Sequence, residues 1–209
     1  MYRPQNFAED RTEVLVDAMR RIGFAALVTP TASGLAATHM PMVVRHDTAT
    51  GRTVLQAHVA RANPHWRDAA QSGESLAIFQ GPSSYVSPSW YPSKQETGKV
   101  VPTWVYIAVH AHGRLRIIDD GAWLRQHVEA LTDLHEADRP TAWQVSDAPE
   151  SYVGAMMRGI VGLELLVERL EGAWKLNQHK PPADRDGTLN GLAMSGPAGA
   201  ELAAALAER

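Results

Sequence analysis

The stretch HVARANPHWRD (58–68) combines residue types whose spacing suits anion binding. Asn63 is a favoured helix N-cap and Pro64 a favoured first helical residue, so a helix is expected to begin there. Arg61 falls in the short loop between the end of a strand near Ala60 and that cap. Unpaired amides at a helix start with a guanidinium beside them form a pocket for a phosphate monoester. The competing reading is that Asn63 only caps the helix while Arg61 stays solvated.

Other candidates surround this one. Thr38 and His39 in the preceding strand, and Gln80 at the end of the following one, offer hydroxyl, imidazole and amide groups to a flat polar ligand. Each alone is also an ordinary strand residue. His110 and His112 lie two apart on one strand and so point the same way, an arrangement able to bind a metal. No acidic residue lies nearby in that strand, so His58 or His39 would have to complete a ligand set, and an interfacial or hydrogen-bonded role is favoured over a metal or haem ligand. Trp174, Lys175 and Gln178 group an aromatic ring with polar ends, fit either to close a pocket or simply to pack. The sequence holds no G-x-S-x-G elbow, P-loop or G-x-G-x-x-G fingerprint, and no basic recognition helix.

The elements that must position these residues follow from periodicity. Residues 10–22 read as an amphipathic helix with Asp10 and Glu13 as a capping box and Val14, Leu15, Ala18, Met19 and Ile22 as its apolar stripe. Strands are expected over 24–29, 36–45, 53–59, 75–81, 103–118 and 160–170, and a short helix over 64–72. The run 103–118 alternates strictly. Val105, Ile107, Val109, Ala111, Leu115 and Ile117 occupy one face, and Trp104, Tyr106, Ala108, His110, His112, Arg114 and Arg116 the other. The segment 81–94 carries Tyr85, Trp90 and Tyr91 among Pro82, Pro88 and Pro92, which suits an ordered covering loop. Helices are expected over 119–137, over 147–157 behind an Asp147–Glu150 capping box, and in the tail. Hairpin-length connections and the lack of a βαβ rhythm give an α+β fold with a mostly antiparallel, barrel-like sheet of six strands.

With 209 residues, 44% hydrophobic and 21% charged, the chain has the composition of one globular domain, 1–209, with a helical C-terminal tail from about 182. The lack of Cys excludes disulfides, thiolate metal sites and a cysteine nucleophile. The N-terminus lacks a signal-peptide pattern and no apolar run is long enough to span a bilayer, so a cytoplasmic location is expected. Twenty basic and 23 acidic residues, net charge −3, give no electrostatic support for direct nucleic-acid contact.

The stretches MYRPQNF (1–7), GLAATHMPM (34–42), HVARANPHWR (58–67), IFQGPSSYVSPSWYPSK (78–94), GKVVPTWVYIAVHAHGRLRII (98–118), VSDAPESY (145–152), IVGLEL (160–165) and LEGAWKLNQHKP (170–181) run in register nearly end to end. Together they resemble the PaiB family of FMN-binding negative transcriptional regulators. Val105, Asn177 and His179 depart from that family's pattern. The resemblance implies a Greek-key split β-barrel of the FMN-binding type with peripheral helices, forming a homodimer with FMN at the subunit interface. It implies a phosphate grip at Arg61, Ala62 and Asn63, and a flavin ring against Thr38, His39 and Met40. Trp104, His110, Lys175 and Gln178 of the other subunit would cover the ring, and His58 and Gln80 complete the candidate cofactor residues. The implied function is regulation, with a flavin- or haem-dependent oxidoreductase as the alternative and no assigned catalytic residue.

Overall fold

The computed structural model describes every residue except 70–72. In chain order the elements are β1 (Ala8–Glu9), α1 (Thr12–Ile22), β2 (Phe24–Thr31), β3 (Gly34–Pro41), β4 (Val43–Asp47), β5 (Arg52–Ala60), α2 (His65–Ala69), β6 (Glu74–Val86), α3 (Ser93–Thr97), β7 (Thr103–Ile118), α4 (Gly121–Glu136), α5 (Glu150–Arg158), β8 (Ile160–Lys175), α6 (Pro182–Ala193) and α7 (Gly196–Ala207). The strands hydrogen-bond in the order β3-β2-β6-β7-β8-β5-β4, with β1 beside β8. The registered pairs β1–β8, β2–β3, β2–β6, β4–β5 and β5–β8 are all antiparallel. The fold is α+β, as the sequence predicts.

The sheet has eight strands among the described residues rather than six. The expected strand over 36–45 is divided at Met42, where β3 pairs with β2 and β4 pairs with β5. The Met42 amide donates to the Gly23 carbonyl at the break. The eighth strand is the two-residue β1, too short to leave a periodic signal. Two strands also run further than expected. β6 continues through Pro82 to Val86, and β8 continues to Lys175, where Ala173 pairs with Ala8. The helix expected over 64–72 runs as α2, and its positions 70–72 lie outside the described residues.

The chain forms two compact units. One comprises Met1–Ala18, Gln80–Val109 and Glu171–Arg209. Its 81–94 segment does cover something. Trp90 lies on α6, where a Cβ at Gly191 would stand 2.2 Å from the indole ring. Buried Asp184 accepts hydrogen bonds from the Ser93 amide and hydroxyl. Asn177, buried at φ 66°, donates to the Tyr91 hydroxyl at 2.9 Å. Asn tolerates this left-handed backbone better than most residues. His179 meets the edge of Phe7.

The other unit comprises Met19–Phe79 and His110–Leu170. Its core is built from the alternating apolar faces of β2, β5 and β8, including Ala25, Leu27, Leu55, Ala57, Val161 and Leu163. Helix α4 starts on an Asp120 cap, whose carboxylate accepts from the Trp123 amide at 2.7 Å. Asp147 does not cap α5. It accepts from the Gln144 amide and closes the preceding 3-10 turn, because Pro149 occupies the α5 cap. Gly162 on β8 lies under Trp123, and an added Cβ would fall 2.3 Å from the ring.

That contact makes a stability prediction. Gly162→Ala is expected to cost about 1–3 kcal/mol by overpacking. Urea unfolding checks it through a lower midpoint at unchanged slope.

Candidate functional site

The junction after β5 is tied together by Arg61. Its backbone amide donates to the Gly159 carbonyl at 2.7 Å. Its Nε donates to the Arg158 carbonyl, one Nη2 hydrogen to the Ile160 carbonyl, and the Nη1 and Nη2 pair grips the Asp119 carboxylate. Arg61 is therefore neither simply solvated nor fully open to an anion. The Asp119 pair raises the guanidinium pKa, and Arg61 in turn holds the Asp119 carboxyl below its ordinary value.

Asn63 caps α2 as its sequence position predicts, its Oδ1 accepting from the His65 amide at 3.0 Å. Its Nδ2 reaches the Thr38 hydroxyl at 3.3 Å, and that hydroxyl also contacts His65 Nδ1 at 2.8 Å. His65 is buried, its pKa lowered by desolvation, and its Nε2 has no hydrogen-bond partner among the described residues. The junction thus gathers Thr38, Arg61, Ala62 and Asn63, with Ala62 exposed in the turn.

Strand periodicity separates the remaining β3 candidates. Thr38 and Met40 share the face toward α2, where Met40 is core at 2% exposure. His39 lies on the opposite face, exposed and stacked on Phe24. His58 on β5 turns away from the junction. Its Nδ1 meets His127 Nε2 at 3.1 Å, and His127 stacks flat on Trp123 with ring centroids 5.1 Å apart. His127 is fully buried, so desolvation, with His58 and Arg45 adding positive charge, pushes its pKa down to about 4. Burial also lowers the His58 pKa. His110 on β7 lies beside His112, ring centroids 6.3 Å apart.

The first unit holds the other candidates. Gln80 is exposed on β6. Trp104 is 57% exposed, with Tyr85 meeting it edge-on. Lys175 donates to the Thr103 hydroxyl at 3.0 Å and lies over the Tyr106 ring. Gln178 is committed to structure: its Nε2 donates to the Asn6 and Trp174 carbonyls and its Oε1 accepts from the Leu176 amide. Trp174 is buried packing beneath Arg209.

Sequence reasoning passed over two junction residues, Asp119 and His65. Asp119 stands 58 positions from Arg61 and nothing local marks it. His65 sits directly after Pro64 in the capping motif, a signal that was available.

Residues 1–169 match the family model described as "Putative FMN-binding domain", and the chain belongs to that family. An uncharacterised protein of Emericella nidulans is 32% identical, the match covering 92% of this chain and 90% of the relative. The "Protease synthase and sporulation protein PAI 2" of Bacillus subtilis is 28% identical, with 88% and 85% covered. Among solved structures, the FAD and haem binding protein of Mycobacterium smegmatis superposes with a TM-score of 0.56 at 16% identity, covering 80% of this chain and 73% of that one. This likeness establishes the fold, the α+β split barrel expected from the sequence. Family membership assigns FMN as the cofactor.

The junction can be tested against a phosphate by counting donors. Arg61 spends four of its five N–H bonds on Asp119 and two carbonyls, leaving one. Asn63 uses one of its two amide hydrogens on Thr38. The Ala62 amide has no partner among the described residues. Three consecutive residues thus keep a donor each, which fits a phosphate, while the Asp119 charge opposes one.

The half-buried His58 and buried His127 make stability depend on pH. An unfolded His titrates near 6.5 and folded His127 near 4, so the unfolded chain binds the proton first. Stability is full above pH 6.5 and falls as pH drops toward 4, by on the order of 3 kcal/mol. Urea midpoints at pH 7.5 and 4.5 check this, and His127→Gln is expected to flatten the difference.

Proposed function

We propose that this protein is a PaiB-like homodimer that binds FMN and acts as a negative transcriptional regulator in the cytoplasm. The observation that carries the cofactor reading is the run of open donors at Arg61, Ala62 and Asn63, in a chain of the FMN-binding family. Those residues would hold the phosphate, and Thr38, whose hydroxyl is bonded to Asn63, would fix the Asn63 amide. The flavin ring would lie along β3 beside His39, with a second copy of the chain covering it through exposed Trp104. Bound FMN supplies hydride and electron transfer, and the chain's part is to bind and orient it.

The regulatory role draws on the Bacillus subtilis relative, whose name links it to protease synthase and sporulation. With a net charge of −3, the chain itself offers little drive toward DNA, so regulation through a partner or through the flavin state fits better than direct contact. No helix among the described residues is long and apolar enough to cross a membrane. A flavin reductase of the split-barrel class is the alternative.

Two experiments test these assignments. Arg61→Ala is expected to weaken FMN binding tenfold or more, and Asp119→Asn to strengthen it severalfold by removing the competing carboxylate. Isothermal titration with FMN reads both, and equal affinities in all three proteins would remove the phosphate seat from this junction. Under anaerobic conditions NADH is expected to leave bound FMN oxidised over minutes. Rapid bleaching of the flavin band would instead establish the reductase.

A further inference from the structure

A second ligand site, separate from the β5–α2 junction, is built on the inner face of α4. Trp123, Gln126 and His127 line a cavity of about 210 Å³ with Arg45 of β4 and Gln56 of β5. Further along the same helix, Ala130 and Leu134 face Met42, Val43 and Val44 across a mostly apolar trough of about 460 Å³. Arg45 lines both, so a polar compartment and an apolar one meet at its guanidinium, and Arg20 also lines the apolar one.

The polar end is constructed with care for charge. Glu164 is nearly buried and accepts from Gln56 Nε2 at 2.9 Å and Trp123 Nε1 at 3.1 Å, with Arg116 3.3 Å away. That set satisfies the Glu164 carboxylate. Gln56 is held from its other end, its Oε1 accepting from Arg45 Nε at 3.3 Å. The Arg45 side chain is exposed, and among the described residues Nε is its bonded nitrogen, so the terminal fork is left for a ligand. His127 shares a proton with His58 through Nε2, while its buried Nδ1 lacks a partner among the described residues. When His58 donates, His127 carries its own proton at the buried Nδ1, and the imidazole lines the cavity beside Arg45.

We propose that this groove binds an amphipathic carboxylate, a medium-chain fatty acid or an arylalkanoate, with its head on Arg45 beside His127 and its apolar body along Val43, Val44, Ala130 and Leu134. A guanidinium matches a carboxylate in two parallel hydrogen bonds, and the apolar trough supplies the burial that a free phosphate or acetate cannot use. The orientation follows from α4. Arg20 and Asp133 both line the trough, and Asp133, six residues and about 9 Å beyond His127 along the helix, sets a negative charge against a carboxylate at that end, whereas Arg45 joins the trough to the polar compartment. An octanoate-length chain spans that interval. The site shares none of Thr38, Arg61, Ala62 and Asn63, the residues placed at the phosphate junction, so octanoate and FMN titrations test the two readings separately.

The test titrates octanoate into the purified full-length protein by calorimetry, with acetate and octanol as comparison ligands and His127 ring signals followed by NMR. Saturable octanoate binding is expected, at least tenfold tighter than acetate or octanol, with the His127 signals shifting during the titration. Arg45→Gln, an exposed substitution, is expected to weaken octanoate tenfold or more, and Leu134→Glu to do the same by closing the trough to an apolar chain. The proposal is overturned if octanoate fails to saturate, if octanol binds as well as octanoate, if the His127 signals stay in place, or if Arg45→Gln binds octanoate like the unaltered protein.

Discussion

The clamp made by Arg61 organises the unit that carries the candidate site. One side chain and one amide join the end of β5 to the α5–β8 turn through the carbonyls of Arg158, Gly159 and Ile160, and to the β7–α4 connection through Asp119. These segments are far apart in sequence, and each has backbone groups at an element end that need partners. A guanidinium is suited to this because its donors lie in a fixed plane and stay charged. The same clamp sets the terms for any anion at the junction. A phosphate meets a cation already balanced by a carboxylate, so affinity depends on how Asp119 shares Arg61.

A second polar layer lies on the outer face of β5 under α4. His58, His127 and Trp123 stack there, and Glu164 collects the donors of Gln56, Trp123 and Arg116. Buried imidazoles of this kind remain neutral, since burial and neighbouring positive charge both disfavour protonation. Neutrality allows the layer to be packed like a core. Gly162 is part of the same arrangement, because only a residue without a side chain lets Trp123 settle onto β8.

The first unit relies on a different set of buried polar contacts. Asp184 and Asn177 fix the aromatic segment around Trp90 and Tyr91 to α6 and to the end of β8. Buried Glu9, with its pKa lowered to about 2 by hydrogen bonds and charge from Arg11 and Arg209, joins β1 to the last residue of the chain. Asn177 and His179, which depart from the PaiB pattern, both lie in this region. Asn177 has a structural role there, holding Tyr91 from a left-handed backbone position.

Features set by neighbours a few residues apart were legible in the sequence. The alternation of residues 103–118 reproduces β7 end to end, with Val105, Ile107, Val109 and Ala111 buried as expected. Asn63 caps α2, and the family motifs identify an FMN-binding chain. Period and capping depend on backbone geometry over two to four residues, so composition and spacing suffice to read them. Partners brought together from distant positions were not legible. Asp119 on Arg61, His127 on His58, the division of the second strand at Met42, and the extension of β8 to pair with Ala8 each depend on where another segment passes. Ion pairs and sheet edges are decided by three-dimensional proximity, which local patterns do not encode, and so the tertiary structure alone determined what the candidate residues face.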